Sequence, residues 1–472
     1  MRIAFLNPQG NFDPDNRYLT EHPDFGGQLV YVRELALSLA ELGVSVDVIT
    51  RRIDDPDWPG FEAPIADFGV HEDRVRIIRL DAGGSSFLPK EQLWPHLPEL
   101  VGAMADFYGD QRPEAITTHY ADGGWMGVLW RQLTGTPFTF TAHSLGAQKL
   151  ERLGASDDRW SELNQRYCFG KRIGAERAAM QTAGAIITST SAEQHEQYAH
   201  ALYAGAVNAR QDPRFSVVPP GINASIFNTD KACDDVAFRD RLVERVGNDH
   251  RPVVLASSRL EQKKNLAGFV DAWLSSAELR QRARLAMFVR GLDAPFEQID
   301  RLAEGERSVL APLLSRIEQA GLRDQAVFVN AGSQRQLATA YRWFAGRGSV
   351  FVLPSLYEPF GLAPIEAAAC GLAVVATRFG GPSEVFSSET GRLVDPADPQ
   401  SLARGMLEAL DDQQRLASAA GQMVNQRYTW QATARGYLRV IETLLSRGAA
   451  PLAALPELDA EQTIRACLPP GV

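Results

Sequence analysis

The segment Glu358-Pro-Phe-Gly-Leu-Ala-Pro-Ile-Glu366 sets two carboxylates on either side of a glycine turn. It follows the apolar run 350–353, which reads as a strand, and Pro364 falls where a first helical turn tolerates proline. Gly371 closes the following helix as a C-cap would. Phe360, Gly361 and Leu362 then present backbone amides at a helix N-terminus, an anion site helped by the helix dipole. Gly361 lets a phosphate approach the backbone closely. The flanking Glu358 and Glu366 can accept hydrogen bonds from vicinal hydroxyls, so the segment suits a sugar nucleotide. An ordinary loop and a solvated helix are the competing reading.

Further stretches carry compatible chemistry. In Ser257-Ser-Arg259-Leu-Glu-Gln-Lys-Lys264-Asn265, Arg259 and Lys264 can neutralise a diphosphate leaving group, Arg as a planar fork and Lys as a point charge. A basic surface turn is the alternative there. Asp24-Phe-Gly26-Gly27-Gln28 places two glycines before a helix, where backbone can approach a phosphate or sugar, or simply make a tight turn. His143 ends an apolar strand in Thr141-Ala-His143-Ser144-Leu-Gly-Ala-Gln-Lys149 and can position or polarise a sugar hydroxyl, although a lone histidine is more often structural. Ser144 and Lys149, with Lys90, Arg166, Lys171 and Arg172, form a basic set suited to a phosphorylated acceptor, each with solvated surface as its alternative.

These residues need a scaffold. The chain has 472 residues, too many for one hydrophobic core, so at least two domains are expected. Apolar residues make up 45% and charged residues 22%, a globular composition. The net charge of −10, from 58 acidic and 48 basic residues, argues against nucleic acid and anionic membranes as general partners. The four cysteines form no CxxC pair, which fits a reducing cytoplasm rather than a disulfide or zinc framework. No signal-like start and no bilayer-length apolar run is visible.

Short β-branched runs alternate with amphipathic stretches, the pattern of parallel sheets covered by helices. Strands are predicted at 2–6, 44–50, 75–80, 115–118, 138–142, 185–188 and 215–218, with a helix over 28–42. The series restarts with strands at 252–257, 285–290, 327–329, 350–353 and 374–376, and a helix over 266–274. The fold class is therefore α/β, with two Rossmann-like domains. The divisions fall at 1–230, 231–427, a helix 428–446 crossing back to the first domain, and an irregular tail 447–472. Ligands of such sheets bind beyond the carboxyl ends of the strands. No GxxxxGK[ST], HExxH, GxSxG or GxGxxG motif offers another chemistry, and no His and carboxylate cluster has metal-site spacing.

At these residues the chain resembles the retaining GT-B glycosyltransferases with an E-x7-E motif, and within them the sucrose-phosphate synthases without an appended phosphatase. The matching stretches include FLNPQGNFDP, HPDFGGQ, FLPKE, TTHYADGG, HSLGAQK, VVPPGIN, SSRLEQKKN, SLYEPFGLAPIEA and RYTWQATARGYL, spread over nearly the whole chain. The resemblance implies two facing Rossmann-like domains with a cleft between them, the acceptor held by the first and the donor by the second. It implies that Arg259 and Lys264 grip the donor diphosphate, that Glu366 bonds the ribose, and that Glu358 with Phe360, Gly361 and Leu362 holds the glucosyl hydroxyls. Asn330 to Gly332 would line the base pocket. Gly26 and Gln28 would floor the site, Gly26 and Gly27 would contact the donor, and Lys90, Tyr120, Ser144, Lys149 and Arg172 would bind fructose 6-phosphate. Lys171 stands where the family pattern has arginine, and the base segment Asn330-Ala-Gly-Ser333 also departs from it.

The implied reaction moves glucose from a nucleoside diphosphate glucose, UDP-glucose by preference, to fructose 6-phosphate with retention, giving sucrose 6-phosphate. The nucleotide sugar is a co-substrate; no cofactor or metal is required, because Arg259 and Lys264 take the metal's place. A separate sucrose-phosphate phosphatase would process the product. The competing activities are mannosylfructose-phosphate synthase with GDP-mannose, sucrose synthase, and a non-catalytic sugar-nucleotide sensor.

Overall fold

The computed structural model describes residues 1–14, 17–18, 22, 24–448, 451–452 and 454–469. It divides into two compact units, Met1–Pro219 with Thr433–Val472, and Pro220–Ala432.

The first unit is built on β1 (Arg2–Leu6), β2 (Ser45–Arg51), β3 (Ile65–Ala66), β4 (Val75–Leu80), β5 (Ala115–His119), β6 (Phe138–Thr141), β7 (Ala185–Thr188) and β8 (Phe215–Val217). The order across the sheet is β3-β4-β2-β1-β5-β6-β7-β8, and all pairings are parallel except β3 with β4. Strand order reverses between β1 and β5, where Leu6 is paired with Thr118. The loops after these two strands carry the residues of interest.

The second unit contains β9 (Val253–Ala256), β10 (Arg284–Phe288), β11 (Ala326–Val329), β12 (Val350–Leu353), β13 (Ala373–Thr377) and β14 (Arg392–Val394). These are parallel in the order β11-β10-β9-β12-β13-β14, so the reversal lies between β9 and β12. Their continuous apolar runs reflect burial on both faces. Val253 and Leu255 join one core with Phe351 and Leu353, while Val254 and Ala256 join the other with Val350 and Val352.

Strands 2–6, 75–80, 185–188 and 350–353 lie where the sequence predicts them, and the other predicted strands shift by a residue or two at their ends. Two strands carry no sequence signal: β3 has two residues and β14 three, too short for a period to register. The domain division also differs, because the chain changes unit at Pro219 and Pro220 rather than at residue 230. Residues 222–229 belong with the second unit: Ile222 and Phe227 are in its core, and the Ile222 amide donates to Tyr428 O at 2.8 Å. The last long helix runs Trp430–Arg447, and residues from Thr433 onward group with the first unit.

The tail read as irregular over 447–472 is a correction. A short helix, Glu461–Arg465, buries Ile464 in the first unit's core. The Ala460 amide donates to Gly170 O at 3.0 Å, and Trp160 Nε1 donates to Glu461 at 3.1 Å. The tail lies so close to the helix Phe169–Thr182 that a Cβ on Gly174 would stand 1.5 Å from Leu458 O. No periodicity signals such docking, because it depends on a glycine far earlier in the chain. Gly174→Ala is expected to undock the tail, costing about 1–3 kcal/mol as overpacking does. Hydrogen exchange should then show faster amides over 458–468, with those of β9–β14 unchanged.

Candidate active site

In the second unit the site grows from the loops after β9 and β12. Asn265 ends the first loop at φ 50°, a left-handed conformation that asparagine tolerates. Its side chain donates to Pro396 O at 2.7 Å and Pro354 O at 3.1 Å, while its Oδ1 accepts from the Gly268 amide at 3.3 Å. The Leu356 amide donates to Lys263 O at 3.0 Å, so the two loops are tied side by side. That juxtaposition sets Lys264 Nζ 2.6 Å from Glu358 Oε2, which also accepts from Ser355 Oγ at 3.2 Å. Both partners are largely covered. Arg259 differs: its side chain is 75% exposed and pairs with Glu261 at 2.9 Å.

Beyond Glu358 the chain turns through Gly361 at φ 92° into the helix Leu362–Ala369. The turn is braced by Gly380 and Gly381. A Cβ on Gly380 would lie 2.1 Å from Glu358 O, and one on Gly381 2.5 Å from Phe360 Cα. The Gly381 amide donates to Glu358 O at 2.9 Å. Phe360 is buried beneath the turn and Leu362 is exposed. Burial pushes the Glu366 carboxyl up to about 7. Asn330 sits at the end of β11, where its Oδ1 accepts from the Gly291 amide at 2.8 Å. Together with Gly332, Asp293, Arg245 and Gln336 it lines a cavity of about 230 Å³.

In the first unit the loop after β1 is held by buried polar groups. Gln28 Nε2 donates to Asn7 Oδ1, and Asn7 Nδ2 donates to Gln9 O at 2.8 Å. Gly26 caps the helix Gly27–Glu41, and nothing stands within 4 Å of the space a Gly27 Cβ would take. Asp24 is buried; it accepts the Lys90 amide at 2.8 Å and also bonds the Lys90 ammonium. Tyr120 follows β5 at φ 68°. Its ring lies under the Arg172 guanidinium, 4.8 Å from the centroid. Arg172 is 5% exposed, pairs with Glu176 at 3.2 Å and donates to Ser144 O at 2.8 Å. Glu176, 0% exposed, also accepts the Gly146 amide at 2.9 Å. Lys149 Nζ stands 4.0 Å over the Tyr167 ring. Burial, then the Arg172 and Lys90 charges, lowers its pKa to about 8.

Lys90, Tyr120 and Arg172 line one small pocket with Glu91, Trp94, Asp122 and Tyr167. Lys149 reaches it through Tyr167, and Ser144 through Arg172. Lys171 does not line it and is exposed, although it neighbours Arg172; one step along a helix turns it away. Arg166 stacks on the Tyr167 ring at 5.1 Å. His143, at φ 57°, shares a 2.8 Å hydrogen bond with His119 Nδ1. Burial lowers the His143 pKa to about 3 and holds His119 well below its usual range, so both rings are neutral.

Sequence reasoning gave no role to Asn265, Ser355, Gly380, Gly381, Asp122, Glu176 or His119. The Gly380-Gly381 pair between β13 and Pro382 was a usable turn signal. Asn265, Glu176 and His119 act through partners far along the chain, while Ser355 and Asp122 bond close neighbours with no distinguishing motif. Among the described residues no cluster of three metal-ligating side chains occurs, and no helix is long and apolar enough to cross a membrane.

Comparison with known proteins agrees with this layout. Residues 239–427 match the model of glycosyl transferases group 1, and residues 26–221 that of the glycosyl transferase 4-like domain. A probable sucrose-phosphate synthase of Thermosipho melanesiensis is 38% identical over 444 residues, covering 94% of this chain and 96% of the relative. Sucrose-phosphate synthase 1 of Arabidopsis thaliana is 30% identical over 94% of this chain, which spans 48% of that longer protein. The solved sucrose-phosphate synthase of Thermosynechococcus elongatus matches with a TM-score of 0.68 at 27% identity, over 95% of this chain and all of that one. The two parallel sheets are those of the GT-B fold. The chain belongs to the sucrose-phosphate synthase family of group 1 glycosyltransferases.

Proposed function

We propose that this protein transfers glucose from a nucleoside diphosphate glucose, preferentially UDP-glucose, to fructose 6-phosphate with retention of configuration, forming sucrose 6-phosphate. The observation that carries the acceptor reading is the gathering of Lys90, Lys149, Arg172 and Ser144 around one pocket in a chain of net charge −10. Such a cluster matches a sugar bearing a phosphate.

The second unit's residues suit the donor. Lys264 and Arg259 neutralise the diphosphate as the bond from glucosyl C1 to the phosphate oxygen breaks. The helix beginning at Leu362 offers its free amides to an anion. Glu358 accepts hydrogen bonds from glucosyl hydroxyls and Glu366 from the ribose, with Asn330 beside the base. The acceptor's anomeric oxygen forms the new bond to C1 on the face the diphosphate leaves. Its proton passes to the departing phosphate oxygen, so no protein base is consumed. His143 is neutral in this scheme and orients a hydroxyl through its ring nitrogen or its backbone.

Nucleoside diphosphate release should be measured with UDP-glucose, ADP-glucose and GDP-mannose, each with fructose 6-phosphate or fructose. Release is expected only for a glucose donor with fructose 6-phosphate. Release with GDP-mannose alone would assign the mannosylfructose reaction, and release with unphosphorylated fructose alone would overturn the role of the basic cluster.

Lys264→Ala is expected to lower kcat at least ~100-fold, as loss of one transition-state electrostatic donor does. Lys149 predicts a pH limb. Its pKa lies near 8, so it is charged below that pH and loses its charge above it. A plot of kcat/KM for fructose 6-phosphate should therefore fall as pH rises through about 8. Lys149→Arg should remove that fall.

A further inference from the structure

Asp122 is the third residue of the helix Tyr120–Thr134, and its side chain lines the pocket that holds Lys90, Tyr120 and Arg172. The residue is 2% exposed. Oδ1 accepts the Gly123 amide at 2.8 Å, but Oδ2 is buried with no hydrogen-bond partner. A carboxylate near a helix N-terminus gains from the dipole whether or not a ligand exists. That gain does not explain burying one oxygen unpartnered, because a buried acceptor without a donor keeps its full desolvation penalty. The Lys90 charge favours the Asp122 carboxylate, but the ammonium gives its hydrogen bond to Asp24.

The surroundings specify the missing donor. The pocket is narrow, with about 10 Å³ of space open to water. That is room for one water-sized group. A phosphate does not fit there, and Asp122 and Glu91 are among the pocket's lining residues. The phosphate's partners, Arg172 over Tyr120 and Lys149 over Tyr167, stand on aromatic rings of the same pocket. Trp94 offers an apolar face to a sugar ring. A sugar phosphate bound by its phosphate at those cations can turn a hydroxyl toward Asp122.

We infer that Asp122 accepts a hydrogen bond from a ring hydroxyl of the sugar-phosphate acceptor, and so sets which sugar phosphates the pocket admits. The assignment rests on the acceptor reading above. Asp122 discriminates because an acceptor lacking that hydroxyl leaves Oδ2 without a donor. The strained backbone of Tyr120, two residues earlier, places the helix start where Oδ2 can meet the ligand.

The test compares the wild type with Asp122→Ala and Asp122→Asn on fructose 6-phosphate and its 1-deoxy, 3-deoxy and 4-deoxy analogues, reading kcat/KM. In the wild type, one deoxy analogue should lose at least about 10-fold against fructose 6-phosphate, the worth of a hydrogen bond to a charged group. Asp122→Ala should lose a similar factor on fructose 6-phosphate itself and show no further loss for that analogue. Asp122→Asn keeps the side chain's volume and an oxygen for the Gly123 amide, so it reads the same coupling if the alanine variant folds poorly. A merely structural role would lower all four substrates by one common factor, and that result overturns the assignment. Equal wild-type activity on all four overturns it too. A wild type inactive on fructose 6-phosphate but active on fructose would instead overturn the acceptor reading, and this assignment with it.

Discussion

In a parallel sheet with helices on both faces, the chain can leave one strand end to either side. Where the strand order reverses, two neighbouring strands send their following segments to opposite faces, and the edge between them stays uncovered. This molecule has one such place per unit, between β1 and β5 and between β9 and β12. The polar groups gathered there must find partners without a covering helix. Asn7, Gln9, Asn11 and Asp24 are buried after β1, and Lys264 meets Glu358 across the two strand ends of the second sheet. Several left-handed backbone positions sit in loops after strands: Tyr120 and His143 follow β5 and β6, and Asn265 and Gly361 close the loops after β9 and β12. Each non-glycine position of this kind costs on the order of 1–3 kcal/mol, and neighbouring bonds hold it in place.

The two halves handle charge in contrasting ways. In the first unit the cations are anchored before any ligand arrives. Arg172 is fixed by Glu176, Ser144 and the Tyr120 ring, and Glu176 is in turn fixed by the Gly146 amide and Tyr203. Removing one partner from such a buried pair strands the other charge, so the pair acts as a rigid unit. In the second unit Arg259 stands in solvent and must give up side-chain freedom to engage a diphosphate. Lys264 is held, but by Glu358, the carboxylate assigned to the glucosyl hydroxyls. On the proposed donor reading, a diphosphate entering there would compete for the lysine and release a carboxylate oxygen toward the sugar. Anchored cations suit an acceptor recognised in its ground state. A cation drawn from solvent or from a carboxylate suits charge that develops as the leaving group departs.

Much of this was legible in residue types, and the remainder was not, for physical reasons. Buried parallel strands announce themselves as apolar runs, which is why 75–80 and 350–353 lie where the sequence sets them. The carboxylates at 358 and 366 and the cations at 259 and 264 are recognisable because chemistry demands their types at those loop positions. Lys171 and Arg172 show where type alone fails. They are adjacent and alike, yet one is solvated and the other buried. The helix that carries them is buried on most sides, so no polar stripe in its sequence indicates the outward face. Glu176 and Asn265 were invisible for another reason. Their work is done on the Gly146 amide and on Pro354 O and Pro396 O, and spacing along the chain does not encode those meetings.

Protonation states complete the picture of the proposed chemistry. When a proton passes from the acceptor hydroxyl to the departing phosphate, a nearby group titrating near neutrality would compete for it. The hydrogen-bonded pair His119 and His143 is withheld from that competition, since burial keeps both rings neutral. In the proposed scheme His143 is left to hydrogen bonding, and neutralising the leaving group falls to Arg259 and Lys264. The groups that do titrate near neutrality, Asp122, Glu366 and Lys149, are the ones proposed to hold substrate hydroxyls or phosphate. On that proposal their ionisation governs how well substrates are held, while the bond exchange depends on fixed charge and geometry.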